Sequence, residues 1–198
     1  KKINMYKQQV KRETVKKEFM DIDDYLSSLE LKITIFENDE YIIPRMSQMS
    51  QKTNQFNLTT KRYTESDIQY FINDPDSDIY AFSTFDKFGD SGVTGLSIVT
   101  RNGNTETAEI DTLLMSCRVI GRNIEYAFMN YVIGKIKEKK INVIKSKYIK
   151  TQKNEQVKEL YDKCSFSLVE STDSVRNYTL DINKYVPKEL NYIKVINE

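Results

Sequence analysis

Histidine is absent from this 198-residue sequence. That absence removes Ser-His-Asp and Cys-His nucleophile systems, together with every histidine-bearing zinc or iron site. Cysteine is scarce: Cys117 and Cys164 lie too far apart for a CxxC clip and are too few for a zinc site, so no metal is expected. They read as free thiols of a reducing compartment. Charge of one sign is lacking too, with 30 Lys+Arg against 29 Asp+Glu and a net charge of +1, so nucleic acid is not an expected partner. No apolar run approaches the ~18 residues that a membrane span needs, and no charged-then-apolar leader opens the chain. The sequence reads as cytoplasmic, without a membrane partner.

What is present suffices for a core. Hydrophobic residues make up 39%, with 9 Phe and 13 Tyr, enough apolar surface to fold without staples. The length suits one domain, or one domain with an appended helix.

Residues 1–20 hold Lys1, Lys2, Lys7, Lys11, Arg12, Lys16 and Lys17 against Glu13 and Glu18, a pattern of a solvated helix. Its apolar positions, Met5, Tyr6, Val10 and Phe19, are too sparse for a buried stripe, so it is expected to lean on something else. The first residue is Lys, and residues 1–30 are expected to be a helical connector from an upstream domain. Asp21-x-Asp23 caps a short second helix. It is no phosphatase nucleophile, because no apolar strand precedes it.

Elements then alternate: a strand over 31–37, helices over 43–56 and 64–73, and strands over 79–85, 93–101 and 105–115. A long helix over 122–139, a strand over 141–149, a helix over 155–164 and a strand over 175–182 follow. Thr64-x-x-Asp67 is a capping box. The turns at 87–92 and 102–104 predict an antiparallel meander. The order describes a mixed α/β domain over 31–182, a mostly antiparallel sheet flanked by helices, with a tail over 183–198.

Two stretches, Gln51–Glu65 and Glu109–Arg122 with its Met-Ser-Cys-Arg-Val-Ile-Gly-Arg run, resemble the C-terminal region of FkbH-like proteins. Those proteins join a haloacid-dehalogenase-type phosphatase domain to a GNAT (acyl-CoA N-acyltransferase)-like domain. The resemblance runs from about Met5 to Ile182 and implies the GNAT-like fold. It also implies an acyltransferase-like role in glyceryl-acyl carrier protein and polyketide extender-unit biosynthesis. The implied cofactor is coenzyme A or another phosphopantetheine thioester, and the implied partners are an acyl carrier protein and the upstream phosphatase-type domain.

The turn Arg118-Val119-Ile120-Gly121-Arg122-Asn123 resembles the loop by which GNAT enzymes hold pyrophosphate, with Asn123 where Gly or Ala is usual. Unpaired N–H groups at a helix N-terminus favour phosphate; the alternative is a helix cap with solvated arginines. The segment Asn154 to Phe166 resembles the GNAT helix whose tyrosine protonates the leaving thiolate, which makes Tyr161 the candidate acid and Asn154 a cofactor contact. Ser165 replaces the usual Gly. Against that stands a core tyrosine on an apolar helix face.

Glu109 and Asp111, two apart on a strand, share a face and are the candidate general bases; the alternative is pairing with arginine or lysine. Cys117 is a further candidate nucleophile, against a structural cysteine. Thr53, Asn54, Gln55, Asn57, Thr59 and Thr60 form an amide- and hydroxyl-rich patch, expected to bind a hydroxyl-bearing acyl chain or a pantetheine arm unless local backbone saturates it. Eight lysines and one glutamate between 133 and 153 give a local charge of +7, suited to an acidic carrier protein or simply solvated. A non-catalytic carrier-docking domain is the rival reading. An ordinary amine acetyltransferase is a third, for which the patch has no use.

Overall fold

The computed structural model describes residues 2–19, 21–103 and 106–197. Two helices, α1 (Lys2–Lys16) and α2 (Ile22–Ser28), precede the sheet. Asp21 accepts the Asp23 N–H at 2.8 Å, so this pair is a helix cap. Then come β1 (Leu31–Glu37), α3 (Ile43–Lys52), α4 (Glu65–Asn73), β2 (Ser77–Asp86), β3 (Gly89–Arg101), β4 (Thr107–Met115) and α5 (Ile124–Glu138). β5 (Val143–Ile149), α6 (Leu160–Lys163), β6 (Ser167–Ser171), β7 (Val175–Asp181) and β8 (Ile193–Asn197) complete the chain.

The strands form one sheet in the order β6-β7-β5-β4-β3-β2-β1-β8. The β2-β3-β4 meander is antiparallel, while β4 pairs parallel with β5 and β1 parallel with β8. One face packs Ile33, Phe82 and Ile110 against Phe128, Met129 and Val132 of α5. The other packs Ile79, Leu96 and Leu114 against Met46 of α3 and Ile68 of α4. Each such side chain contributes about 1.5–3 kcal/mol on burial. At Gly95 a Cβ would come within 1.8 Å of the Phe82 ring, so only glycine fits there.

Four boundaries differ from the sequence reading, each for a physical reason. α3 stops at Lys52 rather than 56, because the Thr53 N–H closes on Met49 at 3.0 Å and the backbone then turns extended. The helix expected over 155–164 is a 3-10 turn, Glu155–Val157, followed by the single turn α6. β6 is exposed at every position and so carries no buried alternation to detect. Residues 183–198, expected as a tail, contribute β8, which buries only Ile193 beside β1. The expected strand start at Thr105 falls outside the described residues.

α1 is docked through a charge. Arg12 is buried at 4% exposure and clasps Asp86, at the end of β2, with Nε and Nη2 at 2.7 and 2.8 Å. Tyr6 and Val10, read as apolar contacts, face solvent instead. Both cysteines are free, Cys117 exposed and Cys164 buried.

Candidate active site

β4 and β5 pair over only four positions, from Thr107 opposite Val143 to Ile110 opposite Ser146. Register then breaks on the other edge of β4: Val99 faces Ile110 and Ile98 faces Thr112, leaving Asp111 as a bulge. Beyond that point β4 continues to Met115 and β5 to Ile149 without pairing to each other. The facing edges expose backbone donors and acceptors that must find partners when buried.

The chain itself supplies those partners. The Leu58 N–H donates to Leu113 O at 3.1 Å, Met115 N–H to Phe56 O at 2.9 Å, and Ile149 N–H to Leu58 O at 2.8 Å. Residues 56–58 therefore lie in the slot bonded to both walls, with Asn57 bridged to Leu114 between bends at 56 and 58. Asn154, fully buried, closes one end. Its Nδ2 donates to Asn57 O and Ile149 O, each at 2.9 Å, and its Oδ1 accepts from Thr151 N–H at 2.8 Å.

Tyr161, on α6, is 1% exposed and ringed by Phe166 and Tyr178. Burial first, and the Cys164 sulfur next, hold its phenol protonated far above the ordinary range. Its hydroxyl faces that of Ser146 on β5, and among the described residues neither reaches any other hydrogen-bond partner.

The turn before α5 places the expected phosphate residues as follows. Cys117–Val119 form a 3-10 turn, with Val119 buried and Ile120 half-buried. Gly121 and Asn123 both take positive φ, +83° and +60°. Asparagine tolerates this region better than most residues, and its Nδ2 donates to the Tyr192 hydroxyl at 2.7 Å. Among the described residues, nothing accepts from the N–H groups of Gly121, Arg122 and Asn123. Arg118 reaches Ser116 Oγ at 3.2 Å, lies against Met5 of α1 and has no carboxylate partner.

Arg122 departs from the expectation. Its guanidinium is buried, 3.2 Å from Asp86 and 2.8 Å from Arg118 O, so only its backbone N–H is left for a phosphate. Burial, then the neighbouring Arg12, push its pKa down. Glu125, in the first turn of α5, is half-buried with its Oε2 buried and unpartnered among the described residues, and desolvation raises its pKa.

The carboxylates each have a cation. Asp111 bonds Lys61 Nζ at 2.5 Å and the Tyr63 hydroxyl at 2.7 Å, and Glu109 lies 3.8 Å from Lys147. The alternative of lysine pairing is thus what the structure contains. Burial, reinforced by Asp111, drives the Tyr63 phenol upward.

Most of the amide- and hydroxyl-rich patch is bound locally. Asn57 donates to Thr53 O at 3.1 Å and accepts from Thr60 N–H at 2.9 Å; Thr59 donates to Asp111 O at 3.0 Å. Asn54 accepts from Arg62 at 2.6 Å and donates to Lys52 O at 3.4 Å, while Gln55 is exposed. The expectation that these residues hold a ligand rested on unsaturated side chains; Asn54, Asn57 and Thr59 are engaged, while Gln55 is exposed and the Thr60 Oγ1 is buried without a partner among the described residues.

Sequence reasoning missed Arg12, Asp86, Lys61 and Tyr63, whose partners lie many positions away. It also missed that 56–58 fill the slot, although the amide cluster was a visible signal for a backbone held out of helix. Among the described residues no three Cys, Asp or Glu side chains converge as a metal site. No described helix is long and apolar enough to cross a membrane.

No protein-family model matches the chain, and no curated protein matches it. Solved structures do. An acetyltransferase of the GNAT family from Streptococcus pneumoniae is 10% identical with a TM-score of 0.58, covering 75% of this chain and 98% of its own. An N-acetyltransferase from Staphylococcus aureus Mu50 is 15% identical at 0.56, covering 76% and 98%. The IAA acetyltransferase from Bacillus cereus is 13% identical at 0.53, covering 75% and 99%. At such identities the likeness speaks to architecture alone, and that architecture is the GNAT acetyltransferase fold.

Proposed function

We propose that this chain is an acyltransferase-like domain that takes a phosphopantetheine thioester, on coenzyme A or an acyl carrier protein, and transfers its acyl group. The carrying observation is the slot between β4 and β5, which bonds the backbone amides of an amide-bearing chain along both edges and at Asn154. Phosphopantetheine is such a chain: two amides joined by methylenes, ending in a thiol. The unpaired N–H groups of the turn before α5, with Arg118 beside them, suit its phosphate. Tyr161 is assigned the acid role by position, its phenol facing Ser146 where β4 and β5 part. Glu109, 40% exposed with a cation only at 3.8 Å, is the more available base, since Asp111 is held by Lys61 and Tyr63. The resemblance of 51–65 and 109–122 to FkbH-like proteins supports a glyceryl-carrier substrate in extender-unit biosynthesis, beside a phosphatase-type domain.

A second reading is a domain that docks the carrier without turnover. It is favoured by Arg122 being committed to Asp86, and by Lys137, Lys140, Lys145 and Lys153, which are exposed and have no ion pair among the described residues. Release of free thiol from acyl-coenzyme A or an acyl carrier protein separates the two. Transfer predicts thiol release that Tyr161→Phe slows. Docking predicts carrier binding without thiol release, lost when Lys145 and Lys153 are reversed to Glu.

A further inference from the structure

We infer that residues 56–60 are a self-inhibitory strap, a stand-in for the thioester arm that the arm must displace. This rests on the acyl-transfer reading and adds what regulates the same slot.

Two observations carry it. The first is that the strap uses the groups an arm would need: Leu113 O, Met115 N–H, Ile149 N–H and Asn154 Nδ2 are all engaged by strap backbone. Backbone amides of 56–58 alternate with the Leu58 side chain, which is fully buried. Phosphopantetheine alternates its amides with methylenes and a dimethyl carbon in the same way. The two occupants cannot share one set of hydrogen bonds, so binding of either excludes the other.

The second observation is that the strap fits imperfectly. Thr60 sits at φ +56°, a region that a β-branched residue rarely enters. Among the described residues its Oγ1 is buried without a partner, and the hydroxyls of Ser146 and Tyr161, where β4 and β5 part, face only each other. Buried hydroxyls lacking partners are costly. An occupant bringing a carbonyl and sulfur to that point would satisfy groups that the strap leaves bare. The strap is also held by its own side chains, Asn57 to Thr53 O and to Thr60 N–H, and Thr59 to Asp111 O of β4. Those side-chain bonds loosen the strap when removed and leave the slot walls intact.

Coenzyme A titration by calorimetry, with amide hydrogen exchange read by mass spectrometry, tests this on the 198-residue chain, Asn57→Ala and Thr59→Val. The expected result is faster exchange over 56–60 in both variants, coenzyme A binding at least tenfold tighter than to the parent, and faster exchange over 56–60 in the parent when coenzyme A is added. Should Asn57→Ala fail to fold, Thr59→Val, which loses one hydrogen bond at similar shape, carries the comparison. Coenzyme A bound while 56–60 stays protected would overturn the strap and leave acyl transfer standing. Weaker binding by the variants would overturn it also, returning these residues to a ligand-binding patch. No binding even where 56–60 exchanges faster would remove the strap and the thioester reading together.

Discussion

Arg12 and Asp86, 74 positions apart, form a two-point ion pair at 2.7 and 2.8 Å with both side chains at or below 5% exposure. Arg122 approaches the same carboxylate at 3.2 Å, so one buried anion holds α1, the β2-β3 hairpin and the turn before α5 together. Two guanidiniums on one carboxylate leave a surplus positive charge beside the turn where a phosphate is proposed to dock.

Asp86→Asn leaves both guanidiniums buried without an anion and should cost about 3–5 kcal/mol. Arg12→Met leaves the Arg122–Asp86 pair intact and should cost no more than about 2 kcal/mol, chiefly by loosening α1. Urea denaturation of the two variants checks the order. Equal losses would contradict the shared-carboxylate account.

Tyr161→Phe should fold about as stably as the parent, because the deleted hydroxyl is buried and faces only the Ser146 hydroxyl. With a thioester substrate, kcat should fall about 10²-fold or more while KM changes little. Thermal melting and steady-state kinetics on one preparation separate the structural role from the chemical one. A variant that loses stability and keeps kcat would make Tyr161 a core residue only.

Asp111→Asn should lower the Tyr63 pKa, since the carboxylate that accepts the phenol at 2.7 Å is the main contributor after burial. Ultraviolet titration of tyrosine ionisation measures this. The same substitution frees Lys61, so any dependence of acyl transfer on Asp111 would show as a change in kcat beyond the tyrosine shift.

Stability should decline in alkali. The Cys164 thiol is pushed up to about 12 by burial, against ~8.5 when unfolded. The folded state then binds the proton that the unfolded state gives up, so this contribution is complete below pH ~8.5 and lost as pH rises toward 12. Tyr126, raised to about 12 mainly by burial, acts in the same direction. Cys164→Val should flatten the fall in urea midpoint between pH 8 and 11. An unchanged slope would assign the effect to the tyrosines.

Legibility of the sequence followed the range of the interaction. Local signals were readable: the Thr64–Asp67 capping box sits where spacing placed it, and the β2-β3 turn falls within the expected 87–92, narrowed to 87–88 because β3 begins at Gly89. β6 and β8 were not, because strands with few buried positions leave no alternation, and their pairing is set by neighbours distant in sequence. Arg12 read as a solvated lysine-helix charge, and nothing nearby marked its partner as Asp86. At the candidate site, the motif pointed to Asn154 and Tyr161, yet the occupant of the slot was hidden. Asn57 and Thr59 looked like ligand contacts because the sequence shows which side chains can bond, and not which backbone already satisfies them.

The most direct measurement is a calorimetric titration of coenzyme A into the parent chain and Arg118→Glu. Arg118, unlike Arg122, has no carboxylate partner among the described residues, and its reversal should repel phosphate without unbalancing the Asp86 cluster. The account predicts saturable binding by the parent, weakened at least tenfold in Arg118→Glu. Equal affinity in both proteins would contradict phosphate binding at the turn before α5.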